Sequence, residues 1–414
     1  MIKIAISGRG LITPLGNGIL ENEKALKNGV SGIRFMPEWK ELGLESLVAG
    51  LPDQNPPSKF LDSKNIRFMP ANAIMALAAA EEALNEAKIS PDDIRGKKVA
   101  VIIGCAGSAH MHLYENSKIF ESTKKVKKVS PFVVPKVMAS SAVANLSLIL
   151  GLKGESFDVS SACASGAHAI ITAARLINTG EYDIVITGGT EELNWPHALG
   201  FDAMRALSRK YNQNPTAASR PFDRNRDGFV IAAGAGILIL ESEKSLKQRG
   251  AKAISYISGF AANSNGTDMV VPDSNASAEV MKQAIESAKI AKEEISYINT
   301  HGTSTPMGDS SEMAAIMEVF GNNAKNIFIN STKSMTGHMI GASGAVETIF
   351  CSMMIEKKFI SPSLNLDLPD ESFEWANFVR KTIFNVPLKH VLNNSFGFGG
   401  TNASLIISSP DQNI

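Results

Sequence analysis

The feature that most constrains the fold of this 414-residue chain is that it runs twice through the same stages. In the first pass, short apolar runs near 2–7, 98–104, 156–160, 183–188 and 235–241 alternate with helical stretches. Chief among these are 70–87, whose alanines and leucines recur at helical spacing, and the small-residue segment 164–178. In the second pass, runs near 254–259, 295–299, 327–330, 391–394 and 403–407 alternate with helices near 278–288 and 341–356. Strands that read as continuous apolar runs need cover on both faces, and helices between them supply it, so the pattern predicts an α/β architecture. The strand, turn and small-residue helix around Cys163 have a counterpart in the strand, loop and Gly341-Ala342-Ser343-Gly344-Ala345 helix around Lys333, which points to a duplicated unit. No Pro/Ser-rich linker separates the two passes. The expected division is 1–250 and 251–414, interlocked as one catalytic unit, with 113–139 and 194–227 as excursions from the repeat.

The first corner carries Ser160-Ser161-Ala162-Cys163-Ala164-Ser165-Gly166. A cysteine where a strand gives way to a helix meets free backbone N–H groups and the positive end of the helix dipole, which favour thiolate and predict a lowered pKa. Taken alone it reads equally as a buried cysteine packing as a small hydrophobe. Two later segments add chemistry: Asn299-Thr300-His301-Gly302-Thr303-Ser304-Thr305 and Ser331-Thr332-Lys333-Ser334-Met335-Thr336-Gly337-His338 each place a histidine in a loop after a strand. His110, His112, His168, His197 and His390 have no such setting. One elbow cysteine with two loop histidines and a lysine points to thiol-based acyl transfer with electrophilic helpers. Asp309 and Glu312, one helical turn apart, are expected to brace the His301 and Lys333 loops rather than act as an acid/base pair. Thr303 and Thr305 either bond a substrate arm or cap the loop.

Composition narrows the setting. The net charge is zero, with 44% hydrophobic and 20% charged residues, so nothing global draws the chain to nucleic acid or an anionic membrane. Three widely spaced cysteines, Cys105, Cys163 and Cys351, without a Cys-x-x-Cys pair, argue against a disulfide framework or a structural zinc and for a reducing, cytoplasmic setting. The chain opens on a strand-like run rather than a leader, and no apolar run is long enough to span a bilayer. Neither Gly8-x-Gly10, followed by Thr13, nor Gly397-x-Gly399-Gly400 has the spacing of a dinucleotide loop.

With the Asn394-Ser395-Phe396-Gly397-Phe398-Gly399-Gly400-Thr401-Asn402 stretch added, the motifs stand in the order and spacing of a known family. Over nearly its whole length the chain resembles the β-ketoacyl-acyl carrier protein synthases, thiolase-fold condensing enzymes. Through Glu191-Glu192-Leu193-Asn194-Trp195 and Phe201-Asp202-Ala203-Met204 it is most similar to their type I branch, which serves bacterial fatty acid synthesis. The resemblance implies a thiolase-like duplicated five-layer α-β-α-β-α fold with the sites of both halves meeting at the centre. It implies an acyltransferase that performs decarboxylating Claisen condensation of an acyl group on Cys163 with malonyl-acyl carrier protein, giving 3-oxoacyl-acyl carrier protein. His301 and His338 would donate N–H bonds to the enolate, Lys333 would supply a fixed charge, and the backbone N–H groups of Cys163 and Phe398 would form the oxyanion hole. Gly107, Met138, Thr303, Thr305, Phe396 and Phe398 would meet the substrate, Met138 from across a dimer interface, Phe398 as a gate, and Gly107 by leaving room for a longer chain. Lys64, Arg67, Lys124 and Lys127 would dock the acidic carrier protein, which brings its own phosphopantetheine arm, so no metal or free cofactor is expected and a homodimer is.

Two departures from the family pattern stand out, Gly104-Cys105-Ala106-Gly107-Ser108 and the arginine in Ser7-Gly8-Arg9-Gly10. The alternatives are a type II or specialised polyene/polyketide ketosynthase, a chain-length partner subunit and a coenzyme A-dependent thiolase. A silent subunit is expected to lose its nucleophile, and a thiolase needs a second cysteine, which 394–402 lacks.

Overall fold

The computed structural model describes residues 3–107 and 109–411. Ile2, at the head of the expected opening strand, and Ser108 lie outside the described residues. The strands that matter for the site are β1 (Ile4–Thr13), β2 (Ala100–Gly104), β3 (Ser156–Val159), β4 (Ile184–Glu191) and β5 (Gly234–Glu241), then β6 (Ser255–Ser264), β7 (Ile295–Asn299), β8 (Phe328–Asn330), β9 (Asn377–Phe378), β10 (His390–Gly397) and β11 (Thr401–Ser408). The helices are α1 (Ala71–Ala87), α2 (His110–Thr123), α3 (Ser141–Leu150), α4 (Ser165–Asn178), α5 (Trp195–Ala203), α6 (Ser274–Ala288), α7 (Pro306–Phe320) and α8 (Ser343–Lys357).

Hydrogen bonding links the strands in the order β9-β8-β7-β10-β11-β6-β1-β5-β4-β2-β3. Leaving aside edge strand β9, the order third-second-fourth-fifth-first occurs in both halves, and the two first strands meet antiparallel, with Ile4 opposite Ile257 and Ile6 opposite Ser255. Helices α1 and α3 cover the outer face of the first half, α6 and α7 that of the second, and α4 and α8 lie between, packed on strands of both halves. This is the thiolase-like five-layer α-β-α-β-α fold, duplicated. The central layer holds a core that includes Ile170, Ile171, Val346, Ile349 and Phe350. Each such side chain withdrawn fully from water contributes about 1.5–3 kcal/mol.

The small-residue helix starts have a packing reason. A Cβ on Gly166 would stand 2.8 Å from the Gly341 carbonyl oxygen, and one on Gly344 would stand 2.9 Å from the Ala167 Cβ. The Ser-Gly-Ala that opens each of α4 and α8 is therefore what lets the two buried helices touch. Gly8 and Gly10 play the same part on the outer side, since Cβ atoms there would lie 2.0 and 1.8 Å from the carbonyl oxygens of Ala83 and Ala79 on α1.

Several elements differ from the sequence expectation. Strand β1 continues through Gly8-Arg9-Gly10 to Thr13 after a bulge between Ile6 and Gly8. Arg9, without a role in the sequence, is 1% exposed and ion-pairs with Glu86 of α1 at 2.8 Å and Glu356 of α8 at 2.7 Å, tying an outer helix to a central one. The excursion at 113–139 is occupied by most of α2 and a short helix Val133–Val137, and α7 extends well beyond the single turn expected at Asp309 and Glu312. Its apolar spacing is broken by Asp309, Ser310, Ser311 and Glu312, of which Asp309 and Glu312 brace the site.

Candidate active site

The first elbow is held by hydroxyls. Ala162, between β3 and α4, has φ +50°, a conformation that costs a non-glycine residue about 1–3 kcal/mol unless its surroundings enforce it. Ser165 Oγ donates to the Ala162 carbonyl at 2.6 Å and accepts from the Ser161 N–H at 2.9 Å, while Thr401 Oγ1 donates to the Ser161 carbonyl at 2.9 Å. The turn presents Cys163, 8% exposed, beside both loop histidines: its sulfur and one nitrogen of each imidazole all lie within 4.8 Å of one another. The rings of His301 and His338 stand edge to face, 5.2 Å apart. The structure thus brings Cys163, His301 and His338 together.

The expected low thiol pKa is overturned. Burial pushes the Cys163 thiol up to about 12, because desolvation of a thiolate outweighs the pull of Lys333 and of the backbone N–H groups of Phe398 and Cys163. Those two N–H groups both act on the sulfur and favour its thiolate, against the larger effect of burial.

The second half supplies the charges. His338 is fixed by its backbone, which donates to Val230 at 2.7 Å and accepts from Ala232 at 2.8 Å. Its Nδ1 meets Ser343 Oγ at 3.0 Å, and its Nε2 is buried without a partner. Lys333, fully buried, pairs its Nζ with Glu347 Oε1 at 2.6 Å. Burial, and then the Lys333 charge, hold His301 and His338 well below the usual histidine range, so both are neutral. Glu347, pushed up to about 7 by burial against the pull of Lys333, is a site residue that sequence reasoning missed. The signal was present, a carboxylate inside the apolar run of α8.

The His301 loop is braced from α7. Glu312 accepts from the N–H groups of His301 at 2.9 Å and Gly302 at 2.8 Å, and Asn394 Nδ2 donates to it at 3.0 Å. Asp309 accepts from Ser304 N–H at 3.1 Å and Phe222 N–H at 2.8 Å, and its carboxyl is pushed up to about 7 by burial despite Arg226. Both carboxylates therefore hold the His301 loop; among the described residues neither bonds the Lys333 loop, a correction to the expectation. Thr305 Oγ1 accepts from Gly308 N–H at 3.2 Å as the cap of α7 and lies 3.0 Å from Thr303 Oγ1. Both threonines also face the cavity, so capping and lining coexist.

That cavity, about 440 Å³, is lined by Cys163, His301, His338, Thr303, Thr305, Phe396 and Phe398 among others. Gly397 allows close approach at the elbow, since a Cβ there would stand 2.9 Å from the Ser161 carbonyl oxygen and 3.2 Å from the Cys163 nitrogen. Gly107 and Met138 are not among its lining residues. Gly107 donates its N–H to Glu191 at 3.0 Å, and the space its missing side chain would leave is filled by Glu191 and the His197 ring, the latter 3.0 Å from a Cβ placed there. The expected room for a longer chain at Gly107 is therefore already occupied. Met138 is 36% exposed on the surface. Lys64, Arg67, Lys124 and Lys127 are all exposed, and Arg67 lies 5.3 Å from the Phe132 ring, so the two basic segments adjoin.

A cysteine at the first elbow of a duplicated thiolase-like fold, faced by two imidazoles from the second half, is the arrangement of the thiolase-type condensing enzymes. Residues 1–245 match the β-ketoacyl synthase N-terminal domain and residues 254–367 the β-ketoacyl synthase C-terminal domain, and the chain belongs to the β-ketoacyl synthase family. It is 44% identical over 98% of both chains to 3-oxoacyl-[acyl-carrier-protein] synthase 1 of Haemophilus influenzae. It is 40% identical to the synthase 1 of Escherichia coli, over 98% of this chain and 99% of that one. Among solved structures, a β-ketoacyl synthase from Burkholderia phymatum superimposes with a TM-score of 0.93 at 33% identity, covering 99% of this chain and 100% of that one. A type II polyketide ketosynthase, solved with its acyl-carrier protein and bound to the hexaketide, gives 0.90 at 30% identity, covering 98% of this chain and 99% of that one.

Proposed function

We propose that the protein is a 3-oxoacyl-[acyl-carrier-protein] synthase of fatty acid elongation, carried above all by the Cys163, His301 and His338 cluster. In loading, Cys163 Sγ attacks the thioester of an acyl-carrier protein, its proton passing to His338 Nε2 and on to the departing arm thiol. The Ser343 hydroxyl can accept from or donate to His338 Nδ1, so Nε2 can serve as acceptor here and as donor in the next step. In condensation, the bond from the malonyl thioester to its carboxylate breaks, carbon dioxide leaves, and the electron pair moves onto the thioester oxygen. N–H groups of His301 and His338 stabilise that enolate in a site of low polarity. The enolate carbon attacks the acyl carbonyl, the oxyanion is held by the N–H groups of Cys163 and Phe398, and its collapse returns the electron pair to Cys163. Burial, and then the charge of Lys333, keep both resting imidazoles neutral and so able to donate N–H bonds to the enolate.

Thr303 and Thr305 hold the arm's amides, Phe396 and Phe398 the acyl entrance, and Met138, from a second copy, the acyl pocket. The carrier protein docks on Lys64, Arg67, Lys124 and Lys127. What supports a homodimer is edge strand β3, which ends the sheet with Phe157 37% exposed, beside α3 with Leu148 79% exposed. An uncovered edge of this kind is a template for pairing with a second copy. The halves divide at 1–250 and 251–414. The enzyme works in the cytoplasm without a free cofactor; among the described residues no helix is long and apolar enough to cross a membrane.

Intact-mass spectrometry after incubation with acyl-carrier protein tests the reading. Cys163 gains the acyl group, Cys163→Ala does not, and His338→Ala loads more slowly yet releases no carbon dioxide from malonyl-carrier protein. An adduct chiefly on Cys105, or normal carbon dioxide release by His338→Ala, refutes the assignment.

A further inference from the structure

The cavity presents three metal-binding donors that the condensation mechanism does not need a metal to explain. The Cys163 sulfur and one nitrogen of each imidazole lie within 4.8 Å of one another. The His338 side chain is buried with Nε2 unpartnered, and His301 Nδ1 is likewise buried and unpartnered. A tetrahedral zinc with bonds of about 2.3 Å to sulfur and 2.0–2.1 Å to nitrogen places its ligands roughly 3.4–3.6 Å apart. Side-chain rotation has to close the widest observed spacing by roughly 1.2–1.4 Å. One thiolate and two imidazoles form a donor set suited to a borderline-soft divalent cation rather than to magnesium or calcium, which prefer oxygen. The Lys333 charge that acts on these three groups is partnered by Glu347 at 2.6 Å, and the Glu312 carboxylate also borders the cavity.

We infer that the resting enzyme binds zinc through Cys163, His301 and His338, and that this ion is a reversible inhibitor rather than a cofactor. Binding breaks the Cys163 S–H bond, forms a zinc–sulfur bond and releases the proton to solvent. Two nitrogen bonds come from the imidazoles, and water from the open side of the cavity fills the fourth position. The ion removes at one stroke the nucleophile and both enolate donors, and an acyl group already on Cys163 excludes it. Zinc therefore competes with loading and not with a loaded enzyme.

The test uses metal-free, full-length protein and reads binding separately from activity. Equilibrium dialysis against buffered zinc should give one tight site per chain, and zinc should protect Cys163 from iodoacetamide in intact-mass spectra, with chelator restoring both alkylation and condensation. Cobalt in place of zinc should show a thiolate-to-metal charge-transfer band. Cys163→Ser and His338→Gln should each lose at least about tenfold in zinc affinity, whereas Cys105→Ala should keep it. Protection of the wild-type chain needs no variant to fold, and metal binding is read whether or not the enzyme condenses. Failure of the proposed function would leave the zinc results standing. Zinc bound without protection of Cys163, a cobalt spectrum lacking the thiolate band, or unchanged affinity in Cys163→Ser with intact melting temperature would overturn the site.

Discussion

Alkylation of Cys163 separates two physical pictures of the elbow. If the helix start governed the thiol, iodoacetamide would react ever faster with rising pH and then level off below about pH 8, where a cysteine of lowered pKa is already thiolate. The structure says otherwise, because burial pushes this thiol to about 12. At pH 7.5 a free cysteine of pKa about 8.5 is roughly one-tenth thiolate, whereas Cys163, its thiol pushed up to about 12 by burial, is almost wholly protonated. The rate of adduct formation on Cys163, followed by intact mass from pH 6 to 10, should climb close to tenfold per pH unit with no plateau. Lys333→Met should slow it further at each pH, since the lysine charge is what pulls the thiol down. A plateau below about pH 9 would refute the argument from desolvation. The expected result also fixes when the thiol loses its proton: during attack, to an adjacent base, and His338 Nε2 is buried, neutral and unpartnered beside it.

Other consequences are as direct. Gly10→Ala sets a methyl 1.8 Å from the Ala79 carbonyl oxygen, a backbone clash between β1 and α1, and should cost at least about 2 kcal/mol in denaturant unfolding; an unchanged midpoint would contradict the packing. Glu192 is pushed up to about 7 by burial, so the folded state binds its proton more tightly than the unfolded chain does. Its stabilising contribution is full below about pH 4.5 and is lost as pH rises through about 7, so the melting temperature should fall over that range and fall less in Glu192→Gln. An equal slope in the variant would remove Glu192 from the account. Replacing Lys124 and Lys127 with glutamate should raise KM for carrier-bound substrate and flatten its salt dependence, with little change for a small pantetheine thioester; equal losses with both would mean a folding or pocket defect.

The legible parts of this protein were those written locally. Apolar runs, a cysteine between a strand and a small-residue helix, and histidines in Gly/Thr loops are readable because each needs only its neighbours in the chain. Glu347 and Arg9 were not, because their meaning lies in partners 14 and 347 residues away. The thiol pKa went wrong for a related reason: a helix start is visible in sequence, but the burial that overrides it comes from His301, His338 and Phe398, which arrive from three other segments. Gly107 is of the same kind, since a glycine in sequence shows room and only the fold shows the Glu191 carboxylate and His197 ring beside it.

The duplication itself explains why one elbow carries a side chain into the site and the other does not. Ser165-Gly166-Ala167 and Ser343-Gly344-Ala345 open the two central helices, and three residues before each serine the backbone is left-handed, at Ala162 with φ +50° and Ile340 with φ +45°. In that register Gly341 stands where the first half has Cys163. A side chain at 341 has nowhere to go, because a Cβ there would lie 2.5 Å from the Ala106 nitrogen and 2.8 Å from Glu191 Oε2. Its N–H instead donates to that carboxylate at 3.1 Å. The two serines have likewise parted roles: Ser165 Oγ locks the elbow that presents the nucleophile, and Ser343 Oγ orients the imidazole of His338. Ala106 and Glu191 of the first half fill the space at the second elbow, so that elbow brings its histidine and lysine to the cysteine of the first, and one cluster results where the repeat alone would give two.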